Sequence, residues 1–449
     1  MTDHHQHSMS EGSDAGEEQA TAAAPPALTG TEGATQSPGG PTHRETERPS
    51  VLQQILSGSA LMSVLAFVLA LVIGGLLIAF ADQDTREAAG YFFSRPTDTL
   101  GAAWSAVWDA YVAMFRGSVF DWKAATFAGM IKPLTESLVF SVPLILAGLG
   151  IAVGFRAGLF NIGAQGQIIV GAIVAAWLGF AFDLPVGIHL LVAMLGGAIG
   201  GAVYAGIPGL LKARFGANEV IVTIMLNYIA VYLISYVLKQ PTFNPGRTGQ
   251  RSPAVSADAT YPLLVPDWLV PGNTFRLHWG FVVAILATVF VWWLLERSTI
   301  GFELRAAGAN PAAARTAGMS VGRVTVITML IAGALAGLAA TGQVLGTERS
   351  LTAGVAASYG FDAITVALLG RSRPLGTFFA GLLFGALKAG GFLMQSQTAT
   401  PIDIVLVVQS LIVLLIAAPP LVRAVFRLPA PGPRVRRPSR STTTKEVTA

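Results

Sequence analysis

The sequence contains no cysteine, which excludes disulfides, thiol chemistry and cysteine-ligated zinc. It is also poor in charge: Asp, Glu, Lys and Arg make up 12% of its 449 residues, about half the ~25% of a soluble domain. No G-x-x-x-x-G-K-[ST] loop is present to cradle a nucleotide's phosphates, and no His/Glu zinc helix. Beyond the N-terminal region only His189 and His278 remain as histidines, and neither has an evident partner in the pattern. No catalytic residue, metal site or resident cofactor is therefore expected, and a membrane-embedded enzyme is disfavoured. The formal charge of +4 is spread over loops and tails rather than gathered in a stripe, so no nucleic-acid partner is expected.

What is present is apolar. Hydrophobic residues make up 53% of the chain and the mean hydropathy is +0.59. A spanning helix needs about 20 mainly apolar residues. Such runs fall near 60–80, 134–154, 166–182, 187–211, 219–238, 279–295, 324–345, 374–394 and 402–422, with a shorter one near 360–370. The expected fold is all-α and polytopic, with about ten membrane elements including a short or re-entrant one. The 50 glycines suit close helix contacts and unwound segments inside a bundle. Alternating spans put Arg156, Lys212, Arg214, Arg297, Arg305, Arg315, Arg323, Arg371, Arg373 and Arg423 on one side. Acidic residues such as Asp82, Asp84, Asp98, Asp183 and Asp258 collect on the other. By the positive-inside rule both termini are expected in the cytoplasm.

Residues 1–50 are rich in Ser, Gly, Pro, Glu and Thr and read as a disordered cytoplasmic tail; His4, His5 and His7 belong to it. The membrane domain is expected over 51–427 and a basic cytoplasmic tail over 428–449. Two exterior segments are long. Residues 81–132 space Trp104, Trp108, Tyr111, Phe115 and Trp122 as on an amphipathic interfacial helix. Residues 239–278, with many prolines and Trp268, read as a cap: a lid, or a contact for an extracytoplasmic binding protein.

Three polar insertions carry the chemistry. In GFRAGLFNIGAQGQ (154–167), glycines surround Asn161, Gln165 and Gln167, with Phe160 beside them. Irregular backbone at membrane depth survives when it is buried in protein or lines a cavity, and neutral amides suit a neutral, polyhydroxylated substrate; a plain turn with capping amides is the bland alternative. In ANEVIVTIMLNYIAVYLISY (217–236), Asn227 lies deep in a span, as inter-helix glue or as pore lining. Asp362 and Lys388 also lie near membrane depth, where each reads as an interfacial residue reaching outward. In GFELRAAGANPAAARTAGM (301–319), Asn310 reads as an N-cap and Pro311 as the first-turn residue of a short helix. Ala312 to Ala317 continue it and Gly318 ends it. With Arg305 and Arg315 beside it, this small-faced helix suits a groove on a partner protein; lying on lipid headgroups is the alternative.

GLFNIGAQGQ (158–167), NEVIVTIMLNYIA (218–230), the segment 301–319 and FDAITVALLGRSRPLG (361–376) together resemble permease subunits of bacterial ABC importers. The likeness is to the branched-chain amino acid and ribose permease superfamily, and within it to the nucleoside-uptake branch related to permeases for simple sugars. It runs from about 134 to 425. The resemblance implies a multi-pass protein of the bacterial cytoplasmic membrane that pairs with a second permease. It also implies a cytoplasmic ABC ATPase carrying the ATP and Mg, and an extracytoplasmic substrate-binding lipoprotein. It makes the interior loop the ATPase-coupling element through Gly308, Asn310, Pro311, Ala314 and Gly318, with the path lined around Asn161 to Gln167. The expected function is a nucleoside permease, with a sugar such as ribose or galactose as the alternative substrate. An ion-coupled carrier, from another class, would require midplane carboxylates and paired broken helices.

Overall fold

The computed structural model describes residues 59–427 except 247–249, 267–269, 271–273, 399 and 402. The tails 1–50 and 428–449, the tail histidines and Trp268 lie outside the described residues. The described chain is built from helices, as it must be where lipid offers backbone groups no partner. They are α1 (Ser59–Ala81), α2 (Gln83–Ala89), α3 (Pro96–Ser118), α4 (Phe127–Arg156), α5 (Ala164–Ala181), α6 (Ile188–Phe215) and α7 (Glu219–Val237). After a long connection follow α8 (Gly280–Arg297), α9 (Thr299–Ala309), α10 (Pro311–Thr316) and α11 (Val321–Thr341), the last extended by a π-helical turn, Gly342–Thr347. The chain closes with α12 (Tyr359–Leu369), α13 (Pro374–Thr398), α14 (Asp403–Ala417) and α15 (Pro419–Phe426).

Among the described residues eight helices are long and apolar enough to cross a membrane: α1, α4 to α8, α11 with its π turn, and α13. Two shorter apolar helices, α12 and α14, complete the expected ten elements. One expectation is corrected. The apolar run 402–422 is not a single helix but breaks at Ala418. Pro419 and Pro420 cause the break: Pro419 disfavours helical geometry at the residue before it, and Ala418 sits at φ −115°, ψ 68°.

Packing follows the small residues. Helices α6 and α11 run antiparallel with Gly197 and Gly201 facing Gly333 and Gly337, so close that a Cβ on Gly337 would land on the carbonyl oxygen of Gly197. Such small-residue seams let backbones meet where no hydrophobic force drives helices together. Helix α4 occupies the centre, against α8, α11, α12 and α13, and is buried over most of its length. Helix α7 lies at the periphery. It exposes Ile221, Met225, Tyr228 and Tyr232 on one face and buries Thr223, Asn227, Ala230 and Ile234 on the other, the division expected at helical period.

The segment 81–132 is partly as expected. Helix α3 exposes Leu100, Trp104, Trp108 and Phe115, with the two Trp rings stacked 6.3 Å apart. Its other face, however, docks on protein: Tyr111 donates to the carbonyl of Leu71 in α1, and Gly117 lies against Gly390 of α13. Trp122 falls beyond the helix end, 6.2 Å from the ring of Phe115.

The glycine seam generates a test. Gly337→Val must push backbone rather than a flexible side chain and is expected to cost about 1–3 kcal/mol, read as a lower unfolding midpoint of the detergent-solubilised protein. Gly101→Ala, with nothing near its Cβ position, should leave the midpoint unchanged or slightly raised; equal effects of the two would overturn the seam's role.

Candidate functional site

The short helix α10 is set by local chemistry. The Asn310 side chain accepts from the backbone N–H groups of Ala312 and Ala313 at 3.0 and 3.1 Å, Pro311 opens the helix, and Gly318 leaves it at φ +83°, a left-handed conformation that glycine adopts freely. Ala314 is buried, whereas Pro311, Ala312, Ala313 and Arg315 are exposed. Arg305 lies 3.7 Å from Glu296, beside a groove of about 720 Å³ shared by Phe302, Met319 and Arg323.

From this helix a line of contacts leads into the bundle. Gly308 of α9 rests on the turn after α4: a Cβ on Gly308 would meet the carbonyl oxygen of Arg156, and Gly158 faces it at φ +70°. Arg156 also donates from Nε to the carbonyl of Ser372 at 2.9 Å, tying this turn to the link between α12 and α13. Phe160 is half exposed, its ring 4.8 Å from that of Phe155.

Beyond the turn, the four amides singled out in the sequence come together, all buried. Asn161 and Gln167 exchange hydrogen bonds at 3.0 and 3.2 Å, and Asn161 also accepts from Gly163 N at 2.9 Å. Asn227 accepts from Gly166 N at 2.8 Å and donates to Ile162 O at 3.0 Å. Gln165 reaches across to α12, donating to Ala357 O at 2.6 Å and accepting from Gly360 N at 2.9 Å. These amides supply the partners that the start of α5 and the start of α12 would otherwise lack. Each is satisfied by protein, and none borders the large cavity above them.

Next to the start of α12, Lys388 of α13 donates to Asp362 at 2.8 Å and to Ser358 Oγ at 3.1 Å, and its ammonium lies 4.5 Å from the centre of the Tyr359 ring. The two charges therefore pair rather than reach outward. Their partnership is invisible along the chain, because they are 26 residues apart; two opposite charges at apolar depth were the available signal.

Tyr359 is also the floor of a cavity of about 740 Å³, within the range of small-molecule sites. Phe140 of α4 and Phe392 of α13 form one wall, stacked at 5.5 Å. Gln343 of the π turn and Glu348 form another, and Gly117 and Asp121 bring the end of α3 to the rim. There Arg276 pairs with Glu136, its Nε 3.1 Å from Oε1, and Lys132 donates to Thr274 at 2.9 Å. Both long connections of the sequence thus contribute to this cavity. Sequence reasoning missed its residues because they come from six separate segments.

The π turn is packed from behind by His278, whose ring stacks on Tyr261 at 5.3 Å and fills the space beside Gly342 and Gly346. Its Nδ1 accepts from Gly280 N at 3.1 Å. Burial, then the positive charge of Arg349, pushes His278 down to about 4.

The family described as branched-chain amino acid transport system, permease component, matches residues 134–417. The guanosine ABC transporter permease protein NupP of Bacillus subtilis is 41% identical over 300 residues, covering 66% of this chain and 84% of the relative. The nucleoside ABC transporter permease protein NupB of Lactococcus lactis is 35% identical over 294 residues, covering 64% and 80%. The glucose ABC transporter permease protein TsgB13 of Haloferax volcanii is 34% identical over 374 residues, covering 82% and 88%. No solved structure matches the chain.

Two expected outcomes follow from this geometry. Lys388→Met strands a part-buried carboxylate and is expected to destabilise the protein by about 1–3 kcal/mol. Adding Asp362→Asn should recover most of that loss in a double-mutant cycle, and purely additive effects would show that the pair is not coupled. For His278 the folded-state value lies below the ordinary ~6.5. The neutral ring's contribution is therefore complete above pH ~6.5 and is lost as pH falls toward 4. Between pH 7 and 5 the protein should lose about 2 kcal/mol of stability, at ~1.4 kcal/mol per pH unit. His278→Phe should flatten that dependence in thermal unfolding; an unchanged slope would exclude this group.

Proposed function

Because this chain belongs to the branched-chain amino acid transport system permease family, we propose that it is the membrane-spanning subunit of an ATP-driven importer and forms a path for nucleosides. What carries the reading is the route from α10 through the Gly308–Gly158 contact, along the chain to Gln165, and by its hydrogen bond with Gly360 to the neighbouring Tyr359 in the cavity lining. The substrate class follows from the guanosine and nucleoside relatives. The glucose relative supports a sugar as the second reading. An ion-coupled carrier is disfavoured, since Asp362, the carboxylate beside the broken helix start, is already neutralised by Lys388.

In this reading the end carrying Arg156, Arg305, Arg315, Arg323 and Arg371 is cytoplasmic and the cavity faces outward, with both termini inside a bacterial cytoplasmic membrane. Cations at the cavity end are largely matched, Arg116 by Asp121 at 2.8 Å and Arg276 by Glu136. ATP and Mg bind a partner ATPase whose groove receives α10, through Asn310, Pro311, Ala314, Arg315 and Gly318, with Arg305 beside it. A second permease subunit completes the membrane pore, and a substrate-binding lipoprotein delivers substrate to the cavity.

Movement of α10 is transmitted by Gly308 to Gly158. Because Gln165 bonds the backbone of α12, the start of α5 cannot shift without drawing the start of α12 and Tyr359 with it. Asn161, held by Gln167, and Asn227 keep that segment's backbone satisfied, while Phe160 borders the path at its cytoplasmic end.

The double substitution Asn310→Ala, Pro311→Ala removes the cap and the preset first turn. Uptake of radiolabelled guanosine by cells carrying the complete transporter should fall at least tenfold, with unchanged amounts of the protein in the membrane. Normal uptake would overturn the coupling assignment.

A further inference from the structure

Resting on the nucleoside reading above, we propose that Gln343 is the residue that reads the nucleobase edge in the outer cavity. Gln343 is 5% exposed, lines the cavity, and its side-chain amide makes no hydrogen bond among the described residues. Its amide opens on the cavity rather than into the packed interior, and so is available to a bound molecule in place of water. The π turn is what aims it. One widened turn, Gly342–Thr347, interrupts the regular helix where Gln343 lines the cavity, and such insertions recur at functional sites.

The turn is held from outside the cavity. Glu348 N donates to Gln343 O at 2.7 Å, His278 fills the space beside Gly342 and Gly346, and Tyr261 bonds Thr341 at 2.9 Å. The backbone that carries Gln343 is therefore fixed before any ligand arrives.

The surroundings define the ligand. Phe140 and Phe392 present aromatic surface, suited to stacking on a planar ring. A carboxamide offers one donor and one acceptor side by side, the pattern that pairs bidentately with a nucleobase edge. The polar rim at Glu136 and Arg276 is left for the ribose hydroxyls. A simple sugar would engage the amide but leave the aromatic wall without a planar partner.

The test is uptake of radiolabelled guanosine by cells carrying the complete transporter, with inosine, adenosine, cytidine and ribose as competitors. Gln343→Leu should raise KM about tenfold, the scale of one bidentate contact, with maximal rate within about twofold, and should flatten the ranking among nucleosides. Gln343→Glu keeps the size but replaces the amide donor, and should reorder the competitors even if the leucine variant fails to reach the membrane. An unchanged KM and ranking in the glutamate variant would overturn the inference while leaving nucleoside transport intact. Wild-type cells that take up ribose but no nucleoside would instead overturn the reading beneath it.

Discussion

Two helices of this protein begin inside the apolar bundle rather than at its surface, and the carboxamides of Gln165, Asn161 and Asn227 are what make that tenable. The first N–H groups of any helix have no partner within it, and in lipid no water substitutes. At α12 the need is met by the Gln165 side chain for Gly360 and by the backbone carbonyl of Ser358 for the residues that follow. At α5 it is met by Asn161 for Gly163 and Asn227 for Gly166. Removing any of these amides leaves a buried backbone donor unpaired, at about 1–3 kcal/mol each. The interrupted backbone, and with it the floor of the cavity, depends on this small set of side chains.

Glycine contacts in this molecule are of two kinds, a long seam and a single close approach. Along the α6–α11 seam, Gly197, Gly201, Gly333 and Gly337 meet in succession, and a seam several turns long resists sliding. The Gly308–Gly158 contact is different. It is a single close approach between two turns, with Gly158 in left-handed geometry, and it leads directly to the amide-held start of α5. In the coupling proposed above, a displacement entering at α10 reaches the start of α5 through this one contact.

Local features were legible in the sequence. The cap, first-turn proline and terminal glycine of α10 act within a few residues of themselves, and the structure forms each as read. The spans were legible because helices in an apolar solvent are selected by length and hydropathy alone. The run 402–422 misled, since its hydropathy is continuous while Pro419 and Pro420 decide the backbone. The amide segment was visible as polar, but whether its groups face a cavity or one another depends on Ala357 and Gly360, nearly two hundred residues away. The same distance problem hid the cavity, whose walls come from α3, α4, the π turn, α12 and α13.

The charges of that cavity bear on what it admits. Asp121, Glu136 and Glu348 stand at its border with Lys132 and Arg276, and Arg116, behind Asp121, supplies a third cation. Three negative groups thus face three positive ones, and the nearest charges below, Asp362 and Lys388, cancel each other. A site with little net potential gains nothing from the charge of an ion, which would lose its hydration on entering the apolar bundle without compensation. A neutral molecule with a planar aromatic part and several hydroxyls avoids that loss and finds partners for both parts. A cavity without a fixed counter-charge is therefore suited to neutral polar molecules rather than to ions.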